Sequence, residues 1–261
     1  MSRKRKSGIG QLNVVKAVFA LLLLAFLGFA TLERLESPVE AVIIKVEGRA
    51  DNKKLISEEE VRHILKGQIG YDISISNTRG LDLLSLEKYL KEESRIEDVE
   101  IYLDKKNRVH VIVIQKDPII RVEVSGGEDY YLDKNGFKVP LIKNQILRVP
   151  IVTGQIDPYI PTYAEEEDHN LNMVMTMAKK VSQDEFLSAL VEQIHIDKND
   201  EIVLVPKMGR AKILLGQIDG IDEKMYKLKT YYQKGIKHIG LDKFDELNMK
   251  YEGQVLGVTN S

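Results

Sequence analysis

Apolar and polar positions divide the chain into three stretches. The first is unbroken: residues 17–32 carry no charge, and with Val14 and Val15 the run covers about 19 residues. At ~1.5 Å per residue it is roughly 28 Å long, close to the ~30 Å hydrocarbon core of a bilayer. The second stretch alternates. Val42, Ile44 and Val46 fall on one face of an expected strand over 41–47, with Lys45 and Glu47 on the other. A helix then starts at Ser57, with Glu60 three residues on as a capping box and Ile56 placed to staple onto Val61. Val61, Ile64 and Leu65 form its buried stripe, and Gly67 marks its expected stop. A second helix covers about 83–92, with Leu83, Leu86 and Leu90 on one side. Strands over 99–103 and 108–116, joined by a polar turn at 104–107, complete a β-α-α-β-β order.

The third stretch is longer and mostly strand-like. Strands are expected at 119–124 and 130–132 around Gly126 and Gly127, followed by a hairpin-type turn at 133–136. Another strand spans 147–152, and a loop with Pro158 and Pro161 follows. Leu171, Val174, Met175 and Ala178 have helical spacing. Ser182 with Glu185, and Val181 with Phe186, repeat the box-and-staple signature for a short second helix. Strands follow at about 191–197, 201–206 and 210–216, then a helix over 221–234 striped by Ile221, Met225, Leu228 and Tyr232 and ended by Gly235. The chain finishes in strands over 244–251 and 254–258. The fold class is therefore α+β, behind an N-terminal apolar helix.

Charge changes this picture at one end only. The whole chain is nearly balanced, with 38 Lys+Arg against 40 Asp+Glu, which excludes a chain-wide nucleic-acid footprint. Yet residues 1–16 hold Arg3, Lys4, Arg5, Lys6 and Lys16 and no acid, so all 40 acids lie beyond them. By the positive-inside rule the basic tail (1–13) stays in the cytoplasm, residues 14–32 cross the membrane and the bulk lies outside. A cleaved signal peptide ending at Gly28-Phe29-Ala30 is the competing account; against it, the apolar run exceeds the usual 7–15-residue core of such signals.

Candidate chemistry is sparse. With no cysteine, disulfides, thiolate catalysis, Cys-ligated zinc and iron–sulfur clusters are excluded. His63, His110, His169, His195 and His238 never come at helix-face ligand spacing. Gly8-Ile9-Gly10 follows no strand, and Gly126-Gly127 precedes Glu128 and Asp129, which repel phosphate. The acidic run at 165–168 lacks the calcium-loop pattern and suits the start of a helix. Met173, Met175 and Met177 suit core or interface filling. No catalytic, cofactor or metal site is expected, and the chain reads as a non-enzyme.

Several local sequences carry a family resemblance. Lys116-Asp117-Pro118-Ile119-Ile120-Arg121 is similar to a "Q-x-x-P-I-x-R-V" stretch, and residues 130–136 (YYLDKNG) to "Y-Y-I-D-x-x-G". Residues 148–154 (RVPIVTG) are similar to "R-V-P-V-V-T-G", and Asn248-Met249-Lys250-Tyr251 to a closing "D-L-R-Y" strand. With the basic tail, the anchor and the β-α-α-β-β unit in the same order, the chain resembles the bacterial division proteins of the FtsQ/DivIB family. The Asn at 248, where the family commonly has Asp, puts any charge contact of that aspartate in doubt.

The resemblance implies a POTRA-like domain over 40–117, a β domain over 118–258, and a scaffold in the cytoplasmic (inner) membrane at the division septum. FtsB-like and FtsL-like bitopic proteins would be its partners, and through them the septal peptidoglycan synthesis machinery. It also implies a closing strand that offers its edge to a partner strand. In that reading Leu247, Met249 and Tyr251 point one way, and Lys250, Tyr251, Glu252, Gly253, Gln254 and Val255 bind the partner. The plainer alternative is a merely structural terminal strand. A POTRA-bearing component of outer-membrane protein assembly or secretion is the alternative function, although POTRA repeats and a long amphipathic barrel are both missing.

Overall fold

The computed structural model describes residues 16, 18–28, 37–48, 54–142 and 145–259. Residues 18–28 are helical and exposed. No helix among the described residues is long and apolar enough to cross a membrane. The basic tail, and the anchor's residues 14, 15, 17 and 29–32, lie outside the described residues. From there the chain divides into two compact units, one ending at Gln115 and one beginning at Lys116.

In the first unit β1 (Ala41–Glu47) lies parallel to β3 (Arg108–Gln115), which pairs antiparallel with β2 (Ile96–Leu103), giving the order β1-β3-β2. Helices α1 (Glu58–Ile69) and α2 (Leu83–Lys91) stand between β1 and β2 in sequence. Leu65 and Ile101 share one buried cluster with Ile56, Val61, Leu86, Leu90 and the valines of β3. The Ser57–Glu60 box forms with both hydrogen bonds, so two otherwise orphaned N–H groups are satisfied. Gly67 does not stop the helix. Its backbone stays helical for one more turn, and Gly70 takes the left-handed cap with its N–H on the Lys66 carbonyl.

The second unit is a nine-stranded mixed sheet in the order β12-β11-β10-β9-β8-β7-β4-β5-β6. Its strands are β4 (Pro118–Val122), β5 (Tyr130–Asp133), β6 (Lys138–Pro140), β7 (Ile151–Gly154), β8 (Val191–Ile196), β9 (Ile202–Pro206), β10 (Lys212–Gly216), β11 (Glu246–Asn248) and β12 (Leu256–Val258). The pairs β4–β7, β7–β8 and β10–β11 are parallel. Crossovers supply them, as parallel pairing requires. Helices α3 (Leu171–Gln183) and α4 (Glu185–Leu190) lie between β7 and β8, and α5 (Ile221–Thr230) with α6 (Ile236–Ile239) between β10 and β11.

One face of this sheet carries the core. Val152, Ile194, Leu204, Ile213 and Leu247 bury against Val174, Ala178, Val181, Met225 and Leu228 of the helices. Strand positions of the other parity, such as Ile151, Gln193, Val203 and Leu214, are only half-buried. Lys180 of α3 pairs with Asp222 of α5, and Lys229 of α5 pairs with Asp184. Lys229 and the Leu187 N–H hold the Asp184 carboxyl below the usual carboxylate range.

Other boundaries also depart from expectation. The strand expected over 147–152 begins at Ile151, and Leu147 instead donates its N–H to the Tyr131 hydroxyl. Asp184, not Ser182, caps α4, since Ser182 sits inside α3 and bonds the Lys179 carbonyl. The helix expected over 221–234 widens into a π-helical turn (Tyr231–Gly235) before α6, and Gly235 lies inside the helical run rather than ending it.

Candidate functional site

The nine-stranded sheet has two free edges, and they differ in chemistry. At one end β6 is Lys-Val-Pro: Pro140 has no N–H to offer, and lysine and proline are typical guards against edge-to-edge pairing. At the other end β12 is Leu-Gly-Val, exposed at all three positions and without charge or proline. Among the described residues, short length is its only protection.

The register fixes which way its side chains point. Leu256 lies opposite Asn248, which lies beside Leu214, while Gly257 lies opposite Leu247, beside Ile213. Leu256 and Val258 therefore belong to the half-buried face of the sheet, each 42% exposed, and Gly257 to the core face. On the core side the Phe244 ring covers Gly257, where an added Cβ would come within 2.6 Å of ring atoms. The Asp245 N–H also donates to the Val258 carbonyl at 2.8 Å. The edge is thus held flat from behind while its outer side stays open.

The segment leading into β12 is a clamped turn, not a strand. Met249 is buried and donates its N–H to the Leu214 carbonyl at 2.9 Å, which ends the ladder of β11. Lys227 of α5 then takes two carbonyls, those of Met249 at 3.1 Å and Tyr251 at 2.5 Å. Glu223, one helical turn away, accepts the Gly253 N–H at 3.1 Å. Carbonyls and N–H groups that a strand would give to neighbours are given to a helix.

The strands expected over 244–251 and 254–258 are therefore shorter, Glu246–Asn248 and Leu256–Val258, and residues 250–255, expected to present the partner edge, lie in the turn between them. Lys250 has its ammonium on Glu201 at 2.5 Å and its stem over Gly216, so its charge is engaged within the chain. Tyr251 is half exposed rather than packed, and Glu252 and Gly253 form the turn. Gln254 and Val255 precede β12. Gly253, Gln254 and Val255 also line an open groove of about 520 Å³ together with Tyr226, Tyr231 and Lys234. Burial pushes the Tyr231 hydroxyl above its ordinary pKa, so it stays a protonated donor there.

Sequence reasoning missed Leu256, Gly257 and Val258 as the edge, and Glu223 and Lys227 as the clamp. One local signal for the edge existed: Gly253 permits a turn, and a turn there moves the free strand to its far side. The clamp left no such trace, because α5 is distant in sequence. No group of three or more His, Asp or Glu among the described residues is placed to hold a metal ion.

No curated protein matches the chain. Residues 117–258, which include every strand of the second unit, match the model of the family described as FtsQ/DivIB, C-terminal related.

Proposed function

Because the chain belongs to the FtsQ/DivIB, C-terminal related family, whose role is in cell division, we propose that it is a non-enzymatic scaffold of the division machinery that captures a partner by adding the partner's strand to β12. The observation that carries this reading is the contrast between the two sheet edges: β6 is guarded by Lys138 and Pro140, and β12 is unguarded. An edge ladder supplies affinity through main-chain hydrogen bonds, and alternate side chains supply selectivity. Leu256 and Val258 provide the apolar side of that recognition. Residues 250–255 border the incoming strand, with Tyr251 exposed to it and the groove beside Val255 open to side chains that follow.

In this reading residues 1–13 lie in the cytoplasm, 14–32 form a single membrane anchor, and the POTRA-like domain (40–117) and β domain (118–258) stand outside, at the septum. The partners are bitopic proteins of the FtsB and FtsL kind, and the assembly reports to septal peptidoglycan synthesis. No cofactor is required.

Capture of the purified partner ectodomain by the full-length chain tests this proposal. Wild type is expected to retain it, and Lys227→Met to weaken retention by about tenfold. That change leaves the Met249 and Tyr251 carbonyls without their cation, each such bond being worth ~1.5–3 kcal/mol, so the turn that positions β12 loosens. Failure of the wild-type chain to bind either bitopic partner would overturn the scaffold reading.

A further inference from the structure

A second cavity of the nine-stranded sheet lies away from the β12 edge and takes no part in partner capture. Strands β4 and β7 are parallel neighbours, so their C-terminal ends lie side by side. From there the chain diverges. After β4 it turns to β5 on one side, and after β7 it crosses through α3 and α4 to β8 on the other. Such a switch point opens a crevice outside the carboxyl ends of the strands, where ligands of open sheets bind. Here the crevice has a volume of about 640 Å³, within the range of small-ligand sites.

Its lining is chemically specific. Tyr130 is 3% exposed and lines the cavity, and its hydroxyl has no hydrogen-bond partner among the described residues. The hydroxyl is not itself sealed off, since the buried unpaired side-chain atoms among the described residues are Ser76 Oγ and Arg121 Nε, so it is open to a ligand in the crevice. Burial pushes that hydroxyl up to about 12, so it keeps its proton and remains a donor. The Lys138 ammonium lies 4.6 Å from the centre of the Tyr130 ring and 5.8 Å from that of Tyr159, with no carboxylate partner among the described residues. Tyr159 meets Tyr130 edge-on at 5.8 Å, and its hydroxyl accepts the Lys138 N–H at 3.4 Å. Glu123 and Glu128 stand exposed at the rim.

An ammonium and a phenol hydroxyl on neighbouring strands, neither with a hydrogen-bond partner among the described residues, make a receptor for an anionic oxygen group, with aromatic surface beside it and negative charge at the mouth. We infer that this crevice binds a short peptide by its free C-terminal carboxylate, received by Lys138 and Tyr130, with its body against Tyr159 and its amino group toward Glu123 and Glu128.

Calorimetric titration of the full-length chain with tri-alanine tests the inference. Saturable binding is expected, weakened about tenfold when the probe's carboxylate is amidated and about threefold when its amine is acetylated. Lys138→Gln is expected to cost about tenfold and to abolish the difference between acid and amide; Tyr130→Phe, which keeps the ring, is expected to cost about fivefold. Equal binding of acid and amide by the wild-type chain overturns the inference without any variant. Absence of saturation at millimolar probe overturns it equally, as does acetate binding as tightly as tri-alanine. Capture of the bitopic partner is unaffected by Tyr130→Phe, so failure here is distinguishable from failure at the β12 edge.

Discussion

Proline at Leu256 or at Gly257 is expected to reduce capture of the partner strand by on the order of a hundredfold. Consecutive N–H groups of a strand alternate between its two neighbours, so one of these prolines removes a donor from the partner ladder and the other a donor to β11. In the first case the incoming strand loses a hydrogen bond and meets the proline ring. In the second β12 itself detaches. Loss of two or three main-chain bonds at ~1 kcal/mol each, with the register gone, corresponds to roughly that factor. Single changes of Leu256 to another apolar residue are expected to be mild, because the backbone still pairs. Thr162→Pro serves as a control, since the Thr162 N–H makes no hydrogen bond among the described residues. Partner capture measured side by side for the three variants checks this. Normal capture by both edge prolines leaves β12 a merely structural strand.

The second large effect concerns stability. Gly154 ends β7 with φ of 104°, a conformation that side chains with a Cβ avoid, and an added Cβ would collide with the Ile196 carbonyl oxygen of β8. Gly154→Ala therefore combines backbone strain of ~1–3 kcal/mol with an overpacking cost of ~1–3 kcal/mol. The total, about 2–6 kcal/mol, is a large share of a domain stability of ~5–15 kcal/mol. Thermal unfolding of the full-length chain is expected to show the second unit melting on the order of 10 °C lower. Gly126→Ala separates the two causes. Its φ is 76°, but nothing lies within 4 Å of the added Cβ, so a loss of about 1 kcal/mol is expected there. Similar melting for both variants would mean that the collision at Ile196 relaxes freely.

Gly154 also shows what the sequence carried openly. It closes the stretch 148–154 on which the resemblance partly rests, and the structure gives the residue its reason: β7 and β8 are parallel and close at that point. Elements with local signals were legible in the same way. The Ser57–Glu60 box, the alternation in β1 and the turn at Asp133–Gly136 each depend on residues within a few positions of one another. The C-terminal edge was not, because its form depends on distant groups. Alternation through Leu247 and Met249 predicts that the strand continues to Tyr251, and the only nearby sign against it is the glycine at 253, which follows that end. The strand ends because Lys227 and Glu223, some two dozen to thirty residues earlier, take the backbone groups it would need. Lys250 illustrates the same limit: its partner, Glu201, is 49 residues away. The crevice at the ends of β4 and β7 was likewise invisible, since its lining residues meet only when a parallel pair forms.

Hydrogen exchange at β12 tests the edge most directly. Residues 256–258 are exposed, and in the free full-length protein their outward-facing amides are expected to exchange rapidly. With the partner ectodomain bound, those amides are expected to slow by on the order of a hundredfold, as they join a ladder, while Lys138 and Val139 of the guarded β6 edge remain unchanged. Partner binding with unaltered exchange at 256–258, and protection appearing elsewhere instead, would contradict capture at this edge.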